Sequence, residues 1–211
     1  MKNTIVTIGR EFGCGGRQIA SCLAERMGVR CYDRKLLAEL MERFPTPEEG
    51  KETETERKQR WKKFAKAYEQ AKLRIEMKLP PKETISREHF EEKSRLLREL
   101  AEHESCVIVG RTGFYVFRDY PNALKIFLTA DKKYRIQRAC KKLNVSEGMA
   151  ELLIDRGDEA REEYAQVFCG KSRFDVRNYD LVINVTHLQP EQVADFIIQC
   201  IGQKLKNTAN E

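Results

Sequence analysis

Apolar positions along this chain alternate between two textures. Short continuous runs rich in Val and Ile predict buried strands, and runs spaced at three and four residues predict amphipathic helices. The first strand falls on Thr4 to Ile8 and breaks into a glycine-rich turn. Ile19, Cys22, Leu23 and Met27 then mark one helical face, and Gly28 is its C-terminal stop. Residues 29–32 predict a short strand ending at Asp33-Arg34, and residues 35–44 a helix stopped by Pro45 and Pro47. Further strands fall on Cys106–Val109, on 124–128 and on 181–185. Asp131 is placed to cap a helix whose inner face is Ile136, Ala139, Cys140 and Leu143. Ser146 starts another helix that runs into the charged stretch 155–161, and Pro190 opens an amphipathic closing helix bearing Val193, Phe196, Ile197, Cys200 and Ile201.

Five short apolar strands separated by helices predict an α/β fold: a five-stranded parallel sheet with helices on both faces. The interval 48–103 differs in texture. Glu, Lys and Arg dominate it, and Trp61, Phe64, Ala65 and Tyr68 keep one helical face. Pro80-Pro81 interrupts before a second helix from Ser86 through Leu100. The organisation expected is a single domain over 1–211, with a core of 1–40 and 104–211, a helical insert at about 41–103 and a frayed tail after Lys206.

Composition narrows the partners only modestly. Hydrophobic residues at 41% suffice for a core, charged residues at 34% imply long solvated helices, and the net charge of +6 suits an anionic ligand or nucleic acid equally. Acids Glu52, Glu54, Glu56 and Glu69 interleave with the bases of the insert around 57–72, so no nucleic-acid partner is expected. No apolar run reaches the length of a membrane span, and no membrane partner is expected. Seven dispersed cysteines without a paired motif, behind no export signal, read as reduced thiols of a cytoplasmic protein. The three histidines lack metal-ligand spacing.

The strongest candidate for chemistry is the stretch from Arg10 to Gln18. Strand, glycine loop and helix together make an anion cradle, in which glycines let backbone N–H groups crowd round phosphate and the helix start adds partial positive charge. The usual loop ends in Gly-Lys followed by Ser or Thr, and no lysine stands here. Phosphoryl transfer depends on holding phosphates in line and neutralising their charge, so arginines from several chain positions are the expected substitutes. Arg10, Arg17, Arg34, Arg111, Arg156 and Arg161 stand at strand ends, in the loop or in a glycine-containing charged segment. Cys14 is either an oxidisable thiol beside a helix N-terminus or a small residue filling a tight turn.

Several stretches together resemble the cytidylate kinase-like family. They are Ile8-Gly9-Arg10-Glu11-Phe12-Gly13-Cys14-Gly15-Gly16-Arg17, then Tyr32-Asp33-Arg34, then Val107-Ile108-Val109-Gly110-Arg111 and the run from Lys125 to Asp131. Asp158-Glu159-Ala160-Arg161-Glu162-Glu163-Tyr164 and the run from Asn178 to Asn184 complete the series. The resemblance implies a P-loop nucleoside monophosphate kinase fold with an acceptor-binding insert and a lid at about 150–175. It implies transfer of the ATP γ-phosphate, with Mg²⁺, to CMP or dCMP. It places Arg10, Gly13, Cys14, Gly15, Gly16, Arg17 and Gln18 around the ATP phosphates. Asp33, Arg34, Arg111 and Asp158 fall on the acceptor side, and Arg17, Arg111 and Arg161 become the catalytic cations. Relative to cytidylate kinases proper, Gly16 stands in the lysine slot and Arg17 in the slot of the Mg²⁺-binding hydroxyl. Val109 and Thr112 replace acids, while Ile154 and Glu39 replace arginines. Asp33 and Asp131 are candidates for the metal only by their places at strand ends. A nucleotide-binding or sensing module that has lost phosphoryl transfer is therefore the alternative expectation, and Arg17 is the residue expected to bring back the missing charge.

Overall fold

The computed structural model describes residues 3–48, 50–76 and 86–208. In chain order the strands are β1 (Ile5–Arg10), β2 (Arg30–Tyr32), β3 (Cys106–Val109), β4 (Ala123–Thr129) and β5 (Leu181–Asn184). The helices are α1 (Gly16–Met27), α2 (Arg34–Arg43), α3 (Glu54–Trp61), α4 (Phe64–Glu76), α5 (Arg87–His103), α6 (Gly113–Val116), α7 (Lys132–Leu143), α8 (Glu147–Cys169) and α9 (Pro190–Thr208). The five strands form one parallel sheet in the order β2-β3-β1-β4-β5. β1 is central, with Ile8 set beside Val109 of β3 and Ile126 of β4. This is the five-stranded parallel sheet that the alternation of strands and helices predicts, in the P-loop kinase fold that the family resemblance implies.

Alternation along each strand divides the apolar residues between two cores. Val6, Ile8, Val107, Val109, Ile126 and Leu128 face α1 and α9 together with Leu23, Val193 and Ile197. Ile5, Tyr32, Cys106 and Ile108 face the other way, against Leu37, Leu40, Leu97 and Leu100. Burial on both faces is why the strands read as unbroken apolar runs. The helices of the 48–103 interval share this second core, since Phe64, Ala67 and Ala71 lie within it.

Local details depart from the sequence expectations. β1 carries on past Ile8 through Gly9 to Arg10, which ends the strand just before the turn. The interval around Trp61 is two helices broken at Lys62-Lys63, and its inner face uses Ala67, while Ala65 is exposed. Asp131 sits at the start of α7 but does not cap it with its side chain; its Oδ1 accepts from Asn184 Nδ2 at 3.3 Å. Leu143, the last residue of α7, and Phe196, beside buried Ile197 on α9, are exposed. Pro80 and Pro81 lie outside the described residues, and α9 carries on past Lys206 to Thr208. Bases of the insert are taken up by its acids: Arg60 forks onto Glu52 at 2.8 and 2.9 Å, and Arg57 pairs with Glu99 and Glu102. Among the described residues no helix is long and apolar enough to cross a membrane.

The short helix α6, absent from the sequence reading, brings the chain back against β1 just below the strand ends. A Cβ at Gly113 would stand 2.8 Å from Thr7 Cβ, a distance that neither backbone can yield without moving. Gly113→Ala should therefore cost about 1–3 kcal/mol by overpacking. Urea unfolding checks this, and an unchanged midpoint would contradict the tight seating of α6 on β1.

Candidate functional site

The carboxyl end of the central strand β1 feeds directly into the glycine loop, at the sheet edge where open α/β folds bind ligands. Gly13 (φ 86°) and Gly15 (φ 90°) take the left-handed conformation. A side chain at Gly13 would also meet the Arg135 carbonyl oxygen at 2.9 Å, so only glycine fits there. α1 begins at Gly16, and its first-turn N–H groups point out of the helix toward the loop. The Gln18 N–H is already turned back onto the Gly15 carbonyl at 2.9 Å. Cys14 is buried, and burial pushes its thiol upward in pKa, opposed more weakly by the Gly16 N–H. That environment disfavours a thiolate, and Cys14 acts as the small residue filling the turn.

The two loop arginines behave differently from each other. Arg17 turns outward, with half of its side chain exposed, and its Nε pairs with Asp33 Oδ2 at 3.1 Å. The other Asp33 oxygen caps α2 by accepting from Lys35 N–H and Leu36 N–H, each at 3.0 Å. Arg10 turns inward across the loop. Its Cγ and Cβ come within 3.0 and 3.1 Å of the place a Gly16 Cβ would take. Burial, joined by the charges of Arg161, Arg111 and Arg173, pushes the Arg10 guanidinium down to about 9.

Asp158 of α8 ties this assembly together. Its Oδ1 accepts from Phe12 N–H at 2.8 Å, Arg161 Nη1 at 3.2 Å and Arg173 Nη1 at 3.3 Å, and its Oδ2 from Arg135 Nη1 at 2.8 Å. Arg173 also donates to the Arg10 carbonyl, and Arg135 donates to the carbonyls of Ala130 and Phe12. Glu11 accepts from Thr129 Oγ1 and Ala130 N–H and pairs with Arg135. Burial and the nearby Arg173 lower the Arg161 guanidinium, with Asp158 opposing. Arg161 also lies 5.2 Å over the Phe12 ring. Ile154, in an arginine slot of cytidylate kinases, is fully buried in a small apolar cluster joining α8 to α7. Glu39, in the other such slot, is likewise buried.

Above the loop lies a cavity of about 240 Å³. Five bases, Arg10, Arg17, Arg138, Lys142 and Arg161, line it against the single acid Glu11. Its size suits a run of phosphates more than a whole nucleotide, since drug-sized ligand pockets start near ~300 Å³. Arg138 and Lys142 were not singled out from sequence, nor were Arg135 and Arg173. On a helix or a loop rich in Lys and Arg, nothing marks which side chains point inward.

On the other side of β1, the turn after β3 is strained. Gly110, Arg111 and Thr112 have successive φ values of 76°, 55° and 51°. Two adjacent non-glycine residues in that region are uncommon and mark a position held by its surroundings. The Arg111 guanidinium sits 5.9 Å over the Tyr164 ring of α8. Arg34, exposed, opens α2 beside Asp33. Among the described residues no three His, Cys, Asp or Glu side chains gather as a metal site. With Arg17 in the hydroxyl slot, and Asp33 already bonded on both oxygens, the loop does not fit a Mg²⁺ ion held by the protein.

Residues 5–187 match the cytidylate kinase-like family. The chain belongs to that family. Over 114 residues, 54% of its length, it is 27% identical to a cytidylate kinase of Sulfolobus acidocaldarius, of which 62% is covered. The chain thus spans less than two thirds of that relative. Among solved structures, an uncharacterized protein from Eubacterium ventriosum superposes with a TM-score of 0.71 at 25% identity, covering 95% of this chain and 99% of that one. A gluconokinase from Sinorhizobium meliloti reaches a TM-score of 0.51 at 10% identity, covering 99% and 96%, a likeness of fold alone.

In this cytidylate kinase-like chain, the Asp158 side chain is only 14% exposed and faces three guanidinium groups. Asp158→Asn keeps the shape and removes the charge. It should cost about 3–5 kcal/mol, the range for breaking a buried ion pair on one side. Chemical denaturation measures the loss; a loss near zero would mean that the arginines do not depend on Asp158.

Proposed function

We propose that the chain is an ATP-dependent phosphotransferase of the nucleoside monophosphate kinase type, with CMP or dCMP as acceptor. Family membership and the P-loop kinase fold support a nucleotide kinase. The observation that carries the reading is the basic cavity over the Gly13–Gly15 loop, at the carboxyl end of β1. Cations from β1, α7 and α8 converge there, as a polyanionic donor requires.

In the proposed reaction an acceptor phosphate oxygen attacks the γ-phosphorus of ATP. A bond forms between that oxygen and phosphorus, the bond from phosphorus to the β,γ-bridging oxygen breaks, and ADP leaves with the electron pair. The loop N–H groups of residues 13–17 hold the donor phosphates. Arg111 takes the acceptor phosphate with Arg34 and Asp33 at the rim, and Arg161, set by Asp158, faces the transferring group. Mg²⁺ would accompany ATP through phosphate oxygens and water. The free thiols of all seven cysteines fit a reducing cytoplasm, where the proposal sites the reaction.

A second reading has its own support. The Arg17–Asp33 pair and the glycine at position 16 leave the usual positions of lysine and hydroxyl without their chemistry. A nucleotide sensor would keep the cavity and lose the transfer.

ATP consumption measured against CMP, dCMP and the other nucleoside monophosphates separates the two. Turnover with CMP or dCMP supports the kinase; ATP binding without turnover on any acceptor supports the sensor. In the kinase case Arg111→Ala should raise the acceptor KM about tenfold or more, the worth of one charge-assisted contact, while the ATP KM changes little. Steady-state kinetics in both substrates checks this, and an effect confined to ATP would move Arg111 to the donor side.

A further inference from the structure

A helix-borne lysine normally brings charge to the phosphates of such a loop. In this chain the place over the start of α1 is filled from the strand before it. The stem of Arg10 lies against Gly16, where a Cβ would stand 3.0 Å from its Cγ. Its Nη1 reaches the turn after β3 and would collide with any Cβ at Gly110. The side chain therefore spans from the donor loop to the turn that carries Arg111. Arg173 fixes its main chain through the Arg10 carbonyl.

Among the described residues no carboxylate forms an ion pair with Arg10. Of the four groups that weigh most on it, Arg161, Arg111 and Arg173 oppose its charge, and the Cys14 thiol, second after Arg161, favours it only as a thiolate, the form that burial disfavours. The two acids of this assembly, Glu11 and Asp158, are engaged elsewhere. Glu11 serves Thr129, Ala130 and Arg135, while Asp158 serves Phe12, Arg135, Arg161 and Arg173. Arg17, by contrast, has its own carboxylate in Asp33 and half its surface in water. A part-buried cation without a paired carboxylate is costly, and an arriving anion offsets that cost.

We propose that Arg10 is the charge-supplying residue of this site, its guanidinium bridging donor and acceptor phosphates in place of a loop lysine, with Gly16 and Gly110 giving it room. This rests on the kinase reading for the identity of the two phosphates, while the anion contact stands by itself. It gives Arg10 the role expected of Arg17.

The test uses the full chain and inorganic tripolyphosphate as the probe, with calorimetry for affinity and thermal unfolding for stability. Arg10→Met should fold, keep a ligand-free Tm at or above that of the unaltered protein, and bind tripolyphosphate about tenfold more weakly or worse, as expected for losing a charged contact. Its loss should exceed that of Arg17→Met. An equal or greater loss in Arg17→Met overturns the proposal. Should Arg10→Met fail to fold, Gly16→Ala decides, because its methyl displaces the Arg10 stem. Weaker tripolyphosphate binding in that variant supports the proposal, and unchanged binding overturns it. ATP binding without transfer to any acceptor would sink the kinase reading and leave the anion role of Arg10 standing. Transfer that survives Arg10→Met at the original rate would do the reverse.

Discussion

Three arginines can stand round one carboxylate-sized space only where something opposes their repulsion, and in this chain that is Asp158. Three guanidinium groups, from Arg135, Arg161 and Arg173, converge on its two oxygens, and the Phe12 N–H adds a fourth donor. The position of the carboxylate matters as much as its charge. Asp158 lies on α8, Phe12 in the glycine loop, Arg135 on α7 and Arg173 after α8. One side chain thus fixes the distance between the loop and the helix that covers it. Gly157 allows the approach, since a Cβ there would come within 2.6 Å of the Phe12 ring. Asp158 balances Arg135, Arg161 and Arg173, but it does not reach the Arg10 guanidinium.

The residual positive charge is therefore placed and not accidental. Arg10, Arg138 and Lys142 face the cavity, and the carboxylates nearby are already engaged with other donors. Under the proposed role, such an arrangement would trade stability of the free protein for affinity toward anions, a common exchange at functional sites. The left-handed stretch from Gly110 to Thr112 belongs to the same economy of strain. It aims Arg111 at the α8 aromatic Tyr164 and, through the absent side chain of Gly110, opens the path of Arg10.

The sheet could be read directly from the chain because burial on both faces leaves an unmistakable pattern, as in the run Cys106–Val109. The glycine loop was equally plain, since Gly13 and Gly15 have no alternative at their backbone angles. The direction of side chains was not. Arg10 and Arg17 flank the same loop with the same chemistry, and sequence spacing favoured Arg17 because it occupies a family position. What separates them is a neighbour remote in sequence: Asp33 draws Arg17 outward. Arg135, Arg138 and Arg173 escaped notice for the same reason. In a chain with 39 Lys and Arg residues, the signal of a single inward arginine is lost among solvated ones. Asp131 failed as a helix cap because Asn184, from the neighbouring strand, competes for its carboxylate.

A strand and a helix supply a cation to a phosphate loop on different terms. A lysine on the helix projects from the element whose N–H groups hold the phosphates, so its stem stays free and its ammonium swings with the ligand. An arginine at the end of β1 is held in the ladder to β4, where it stands beside Leu128, and here its own carbonyl is also held by Arg173. Its guanidinium is planar and fork-shaped, so it can meet two oxygens in a set geometry where an ammonium acts as a point charge. The consequence is a site whose positive charge is set in place before any ligand arrives. Under the proposed role that would favour oriented binding of phosphates, and a Cβ at position 16, where the usual loop carries its lysine, would press on the Arg10 stem at 3.0 Å.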